Sequence, residues 1–418
     1  MFCYTSGIPN ISLDVSLSPP YIQEEKTHHR EHREHGEKKN IGDRRQETGD
    51  MSSSKTYRVG LVGCGGMGRH HLEALRAMPE FEAAALCDLF PEALGRAGEA
   101  FGVKARYTDF EKMYDGVRPD IVTVATQTRG HCAPTVAALR RGISVLCEKP
   151  MAIDLAEADE MVGAAKASGA KLAIHQQNHV NPGIRKAQAL VKEGLIGEVV
   201  LIRGRNKAAR QSGNEFMEMG THVTDMMICF GGFAEWVSGA VYYQGRLAGP
   251  KDIMEAKEMS PRDRDSGPVM GSRAVGYYGF PGGVLGEIHF LDYQKGMGAN
   301  YGVDILGTEG QLAFRGTGAL KENLWRLPRP MEGTPAQLVD WRPVDTTDVG
   351  VEEPIHTMYK RLVQAVETGE EPPNSGEEGR RAFEMVLGIY QSHREGGRRV
   401  ALPMKDRRHP LEVWRKGE

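Results

Sequence analysis

The segment YRVGLVGCGGMGRHHLEALR, Tyr57 to Arg76, decides the fold. Its opening YRVGLVG reads as a strand, and Met67 to Met78 reads as a helix. Between them stands Gly63-x-Gly65-x-x-Gly68. Gly63 permits a tight turn, Gly65 lets a pyrophosphate approach the backbone, and Gly68 lets helix and strand pack closely. Gly66 and Met67 complete the turn at the helix N-terminus, whose free N–H groups and positive dipole end suit phosphates. Asp88 ends the next apolar run, twenty residues past Gly68. A carboxylate there accepts hydrogen bonds from ribose hydroxyls and repels a 2′-phosphate. Strand, loop, helix and acid together indicate dinucleotide binding, with NAD preferred and NADP the alternative. His70 and His71 read as packing or solvent-facing residues of the helix.

The alternation continues outward. FEAAALCD, DIVTVAT, ISVLCEKP and KLAIHQ read as strands; Pro91–Phe101, His131–Arg141 and Leu155–Ala167 read as helices. This βαβ rhythm means a doubly wound parallel sheet covered by helices on both faces. After Gln177 the texture changes. A helix over Pro182–Glu193, the strand EVVLIRGRN and a helix containing Glu218 precede longer β runs, with turns at Pro281–Gly283 and Gly307–Gly310. Helices over Ile355–Glu367 and Glu377–His393 close the chain, and Ser260–Gly271 reads as a surface loop. The expected fold is α/β: a Rossmann domain over residues 56–176, then a domain over 177–418 with an open, largely antiparallel sheet. The last helices are expected to pack back on the first domain. Residues 1–55 are charged, His-rich and without apolar period, and are expected to be a disordered tail with Met51 as the working start. Metal capture by His28, His29, His32 and His35 is the minor alternative there.

At 418 residues the chain exceeds a single core, and its formal net charge of −3 argues against nucleic acid or an anionic membrane as main partner. No apolar stretch reaches membrane-span length and no signal peptide is evident, so the expected location is cytoplasmic. The six cysteines are dispersed without zinc spacing and read as reduced, buried thiols. No metal site is expected in the globular part.

Two segments carry candidate chemistry. VLCEKPMA places Lys149 at the C-terminal end of a predicted parallel strand, the edge where doubly wound sheets bind ligands. In EFMEMGTHVTDMM, Glu218, His222 and Asp225 fall at i, i+4 and i+7 and share one helix face, leaving Met219, Met226 and Met227 for packing. Gln177, Asn178 and His179 follow the last Rossmann strand, and Arg203, Arg205, Asn206 and Lys207 follow a later one.

These motifs, with TVATQTRGH, GLIGEV, DILGTEGQL and SGEEGRRAFEMVLGIYQS, resemble the glucose–fructose oxidoreductase / inositol dehydrogenase / MocA-like oxidoreductase family, in that family's order from Met51 to Pro403. The resemblance implies an active site in the cleft between the domains and assembly as a homodimer or homotetramer. It implies that Lys149 binds cofactor and substrate hydroxyl, that Glu148 and Pro150 shape the loop under the nicotinamide, and that Thr126, His131 and Gln177 flank the cofactor. His222 matches the general base, and Glu218 stands where the family usually has Asp, there either to bind a substrate hydroxyl or to tune His222. Asp225 would hold the His222 ring or, as in many relatives, cap or pin the helix. His179, Arg205 and Asn206 are candidate substrate ligands, although relatives commonly carry Arg-Phe where His179-Val180 stand. The expected activity is hydride transfer between NAD and a secondary hydroxyl of a sugar, sugar derivative or cyclitol. Two alternatives are glycoside cleavage through transient oxidation at C3 and elimination, and a non-catalytic dinucleotide sensor.

Overall fold

The computed structural model describes residues 55–207, 213–256, 266–291, 297–316, 322–328, 340–350 and 352–418. The His-rich segment and its metal-capture reading lie outside these residues.

Six strands, β1 (Tyr57–Val62), β2 (Phe81–Cys87), β3 (Arg106–Tyr107), β4 (Ile121–Val124), β5 (Ser144–Cys147) and β6 (Leu172–Ile174), form one parallel sheet in the order β3-β2-β1-β4-β5-β6. Their connections are α1 (Gly66–Arg76), α2 (Pro91–Phe101), α3 (Phe110–Val117), α4 (Cys132–Arg140) and α5 (Leu155–Ser168). β4, β5 and β6 are buried throughout, as expected for strands covered on both faces. Local chemistry sets the helix ends. Pro91 opens α2, Asp109 and Asp154 cap α3 and α5, and Gly102 and Gly169 close α2 and α5 in the left-handed conformation. The short β3 and the helix α3 went unrecognised in the sequence: β3 has only two residues, too few to show a period.

The parallel sheet ends at Ile174, and α6 (Pro182–Lys192) leads to β7 (Val199–Arg205). β7 is a central strand of a ten-stranded sheet ordered Arg342–Pro343, Leu324–Pro328, Gly310–Arg315, Gly302–Gly307, β7, Leu285–Phe290, Arg273–Gly279, Trp236–Tyr243 and Val400–Ala401, with Arg246–Leu247 paired on Trp236–Tyr243. β7 pairs in parallel with Leu285–Phe290, and the other pairings of this sheet are antiparallel. The hairpin turns fall where Pro281–Gly283 and Gly307–Gly310 placed them. Part of the expected surface loop is ordered core: Pro268–Met270 is a buried strand paired with Ile253–Glu255, while residues 257–265 lie outside the described residues.

Helix α7 (Gly213–Gly231) packs on this sheet beside the helix Gly376–Arg394, which also lies against the strand Trp236–Tyr243. A Cβ on Gly204 of β7 would sit 2.3 Å from Val223, so strand and helix approach closely only because that residue is glycine. On the other side Gly220 packs on Val386, and the Thr224 hydroxyl donates to the Ala382 carbonyl at 2.8 Å. With those faces buried, the Glu218–His222 stripe is turned toward the ends of β5 and β6. Cys64, Cys87, Cys132 and Cys147 are buried free thiols as expected, whereas Cys229 is only partly buried and Cys3 lies outside the described residues. Among the described residues no helix is long and apolar enough to cross a membrane.

Candidate active site

At the end of β1 the chain turns at Gly63, where φ is 99°. A Cβ there would lie 2.5 Å from the Ala125 carbonyl oxygen, and one at Gly68 would lie 1.9 Å from the Gly63 carbonyl oxygen. The protein's own packing therefore demands these two glycines. A Cβ at Gly65 or Gly66 would meet nothing within 4 Å, so that face is open to a ligand. Gly65 caps α1 without a side chain, and no acid occupies the first turn. The N–H groups and positive dipole end stay available to a phosphate. Asp88 accepts from the Cys64 N–H at 2.7 Å through Oδ2 and from the Phe90 N–H at 2.8 Å through Oδ1. These bonds lock the acid against the glycine turn and leave lone pairs on both oxygens for ribose hydroxyls. The cradle fits a pyrophosphate and an unphosphorylated ribose.

Along the same sheet edge, β4 ends beside Gly63 and the Glu148 N–H after β5 donates to Val124 at 2.9 Å. The Lys149 ammonium lies 3.7 Å from the Glu218 carboxylate on α7, and both are largely buried. His222, one helical turn on, is buried as well. Burial first, and then the Lys149 ammonium, hold His222 well below the ordinary histidine value, with Glu148 opposing and Lys207 assisting. His222 is therefore neutral near pH 7 and able to accept a proton.

Residues 57–176 match the family model described as Oxidoreductase family, NAD-binding Rossmann fold, of the Gfo/Idh/MocA group. Over these residues the chain carries the NAD-binding Rossmann domain of the Gfo/Idh/MocA oxidoreductase family. Across most of its length it is 24% identical to D-apiose dehydrogenase of Paraburkholderia graminis, covering 82% of this chain and 89% of the relative. It is 25% identical to myo-inositol 2-dehydrogenase of Thermotoga maritima, covering 78% and 93%. The fold superposes on levoglucosan dehydrogenase in complex with NADH and levoglucosan with a TM-score of 0.69, at 20% identity over 84% of this chain and 100% of that one. With the dehydrogenase relatives, that domain makes the chain an NAD-binding oxidoreductase.

Several expected site residues take other positions. Asp225 does not hold His222: it is fully buried and accepts from His179 Nδ1 at 3.3 Å and from Asn374 Nδ2 at 3.3 Å. Burial raises Asp225, while the His179 imidazole resists that rise. Burial opposes charge on His179 too, but Cys229 and Asp225 outweigh it, and the ring sits well above its ordinary value. His179 lines a separate cavity of about 680 Å³ with Arg185, Phe233, Arg361 and Glu378, so it is not placed as a substrate ligand beside His222. Arg205 points to the sheet face opposite α7, bridging to Asp304 at 2.7 Å alongside Arg315. Strand alternation explains this, because Gly204 is the neighbour that faces the helix. Asn206 is buried and spends its amide on Glu215 at 3.2 Å and the Leu291 backbone. Gln177 is exposed beside the sheet edge, and Thr126 and Gln127 follow β4. His131 is buried with its ring nitrogens 2.9 Å from the Pro150 carbonyl and 3.2 Å from the Thr126 carbonyl, and burial lowers its pKa. It ties the β4 and β5 loops together and has no nitrogen left for a cofactor.

Sequence reading missed a buried network beneath Lys149. Glu148 Oε1 accepts from His175 Nδ1 at 2.7 Å and from His71 Nε2 at 3.1 Å, and Oε2 accepts from the Lys149 N–H at 3.1 Å. His71 Nδ1 meets the Tyr359 hydroxyl at 3.0 Å, which meets Thr123 at 2.8 Å. Burial would raise Glu148, but His175 and then His71 outweigh it and hold the carboxyl well below its ordinary value. The three donor atoms lie within 4.8 Å of one another, a spacing a metal ion would also accept. Hydrogen bonds already occupy each of them. Lys207 was named with its neighbours but not singled out; its ammonium lies 4.9 Å from the Tyr301 ring centre and adds a second cation near His222. Nothing local in RGRNKAA distinguished it from the neighbouring charges.

Proposed function

We propose that this chain oxidises a secondary hydroxyl of a sugar, sugar derivative or cyclitol with NAD, using His222 as general base and Lys149 as the electrostatic partner of the hydroxyl oxygen. The observation that carries the reading is the convergence of Lys149, Glu218 and His222 at the edge that ends in the glycine turn. The dehydrogenase relatives, whose names specify apiose and inositol, support the substrate class.

NAD supplies the hydride acceptor. Neutral His222 takes the hydroxyl proton, a contribution of about 10²–10⁴-fold for a positioned base. Lys149 stabilises the alkoxide as charge develops, an interaction strongest in the transition state. Glu218 keeps the ammonium in place and offers an acceptor to a neighbouring hydroxyl. This reading assigns residues 56–176 to the cofactor and 177–418 to substrate and assembly. A second copy would seat on the open sheet face, where Tyr277 and Leu285 are about half exposed. Sedimentation showing only monomer at micromolar concentration would remove that last element.

The experiment is a polyol panel with purified protein and NAD, followed by absorbance of reduced nicotinamide. Turnover should appear, and His222→Ala and Lys149→Ala should abolish most of it while still binding NAD. Full turnover in both variants refutes the assignment. Release of sugar from a glycoside without added cofactor would instead favour transient oxidation and elimination.

A further inference from the structure

Two buried imidazole nitrogens, Nδ1 of His222 and Nε2 of His175, have no hydrogen-bond partner among the described residues. Such groups are costly to bury alone, so their placement asks for an explanation.

The network fixes the character of His175. An ionised carboxylate only accepts, so at 2.7 Å from Glu148 Oε1 the His175 Nδ1 must carry the hydrogen. A neutral ring then presents a bare lone pair at Nε2. His222 needs the complement. To accept a proton at Nε2, its neutral ring must carry hydrogen on Nδ1, a donor in want of an acceptor.

The topology brings the two rings into one neighbourhood, near enough that His175 bears on the charge of His222. β5 and β6 pair with Cys147 opposite Ile174, and the His175 N–H donates to the Cys147 carbonyl at 2.7 Å. His175 thus sits beside Glu148. The next residue, Lys149, reaches Glu218, which stands one turn before His222 on α7. The Asp225 carboxylate is committed to His179 and Asn374.

We propose that His175 is the positioning residue for His222: the His222 Nδ1–H is donated toward His175 Nε2 across one bridging water, and Glu148 holds His175 in the accepting tautomer. The inference rests on the reading of His222 as the base. When the substrate O–H bond breaks and a new N–H bond forms at His222 Nε2, the resulting cation already has its other N–H on an acceptor backed by a carboxylate. Nothing in the site has to reorganise, and the ring stays aimed at the substrate.

Selective ¹⁵N-histidine labelling of the full chain saturated with NAD reads both tautomers directly. The proposal requires the Nδ1–H form for His175 and for His222. A His222 found as the Nε2–H form overturns it with no variant needed. His175→Phe should move the His222 titration to lower pH, because the cation loses an acceptor, and should lower kcat by about tenfold or more. His175→Gln, whose amide oxygen accepts, should restore most of both. An unchanged His222 titration in His175→Phe overturns the proposal. Retained turnover in His222→Ala would instead remove the base reading, a result separable from the tautomer measurement.

Discussion

Adding one methyl group at two neighbouring glycines should have opposite consequences, because one glycine faces protein and the other faces open space. At Gly68 the new Cβ would lie 1.9 Å from the Gly63 carbonyl oxygen, and 2.9 Å from the Gly63 carbonyl carbon. Ordinary contact begins near 3.4 Å, so α1 must retreat by more than an ångström or the glycine turn must open. The obstacle is backbone, which has no rotamer to yield. Overpacking of this kind costs about 1–3 kcal/mol. Gly68→Ala should therefore melt earlier with or without cofactor. At Gly65 a Cβ meets nothing within 4 Å, and the backbone is extended with φ −71°. Gly65→Ala should melt like the wild type when NAD is absent. Its methyl group occupies the space through which a pyrophosphate reaches the helix N-terminus, so NAD affinity should fall by about tenfold or more, roughly 1.4 kcal/mol per factor of ten. The assay is thermal unfolding with and without NAD, paired with titration calorimetry. At NAD one hundred times Kd the wild type should gain about 2.7 kcal/mol, and Gly65→Ala correspondingly less at that same concentration. A Gly65→Ala protein with wild-type NAD affinity, or a Gly68→Ala protein with wild-type stability, would refute the reasoning about this turn.

Four further outcomes follow from the site. Lys149→Met should reduce kcat by about 10²–10³, the range for loss of one preorganised donor at a developing oxyanion, as measured by steady-state NADH formation. His222 is held below its ordinary value, so the neutral base survives to lower pH, and the acid limb of kcat/KM should fall below about 6.5. Removing the Lys149 charge should move the His222 titration upward, read by NMR. Glu148 is depressed in the folded state, so its contribution is present above the unfolded value near 4.3 and is lost as pH falls through the folded value. Glu148→Gln should cost about 1–3 kcal/mol in urea unfolding at pH 7, and its gap to wild type should narrow in acid.

What the sequence made legible was local. The glycine turn, Asp88 and the Glu218–His222 spacing each lie within one strand–loop–helix unit or one helix, where period and residue type suffice. Lys149 was legible because its strand predicted the sheet edge. The contacts that specify the rest join distant segments. Glu148 meets His71 of α1 and His175 after β6, and His71 then reaches Tyr359 on the penultimate long helix. Asp225 stands on the His222 face of α7 by spacing alone, yet Asn374, far along the chain, draws it away with His179. Arg205 was assigned to the cleft by its place at a strand end, but the pleat sends it to the opposite face with Asp304. A helical or strand period says which residues share a face; only the packing of Gly204 on Val223 and Gly220 on Val386 says where that face points.

The central claim is that hydride leaves a carbinol carbon held between Lys149 and the cofactor while His222 takes the proton. The most direct measurement supplies NAD and the polyol chosen by the panel, deuterated at its carbinol carbon, and locates the label in the product. The account predicts deuterium at C4 of the reduced nicotinamide, a slowed wild-type rate for the labelled substrate, and no labelled NADH from His222→Ala. Reduced nicotinamide without deuterium, or labelled NADH formed at wild-type rate by His222→Ala, would contradict it.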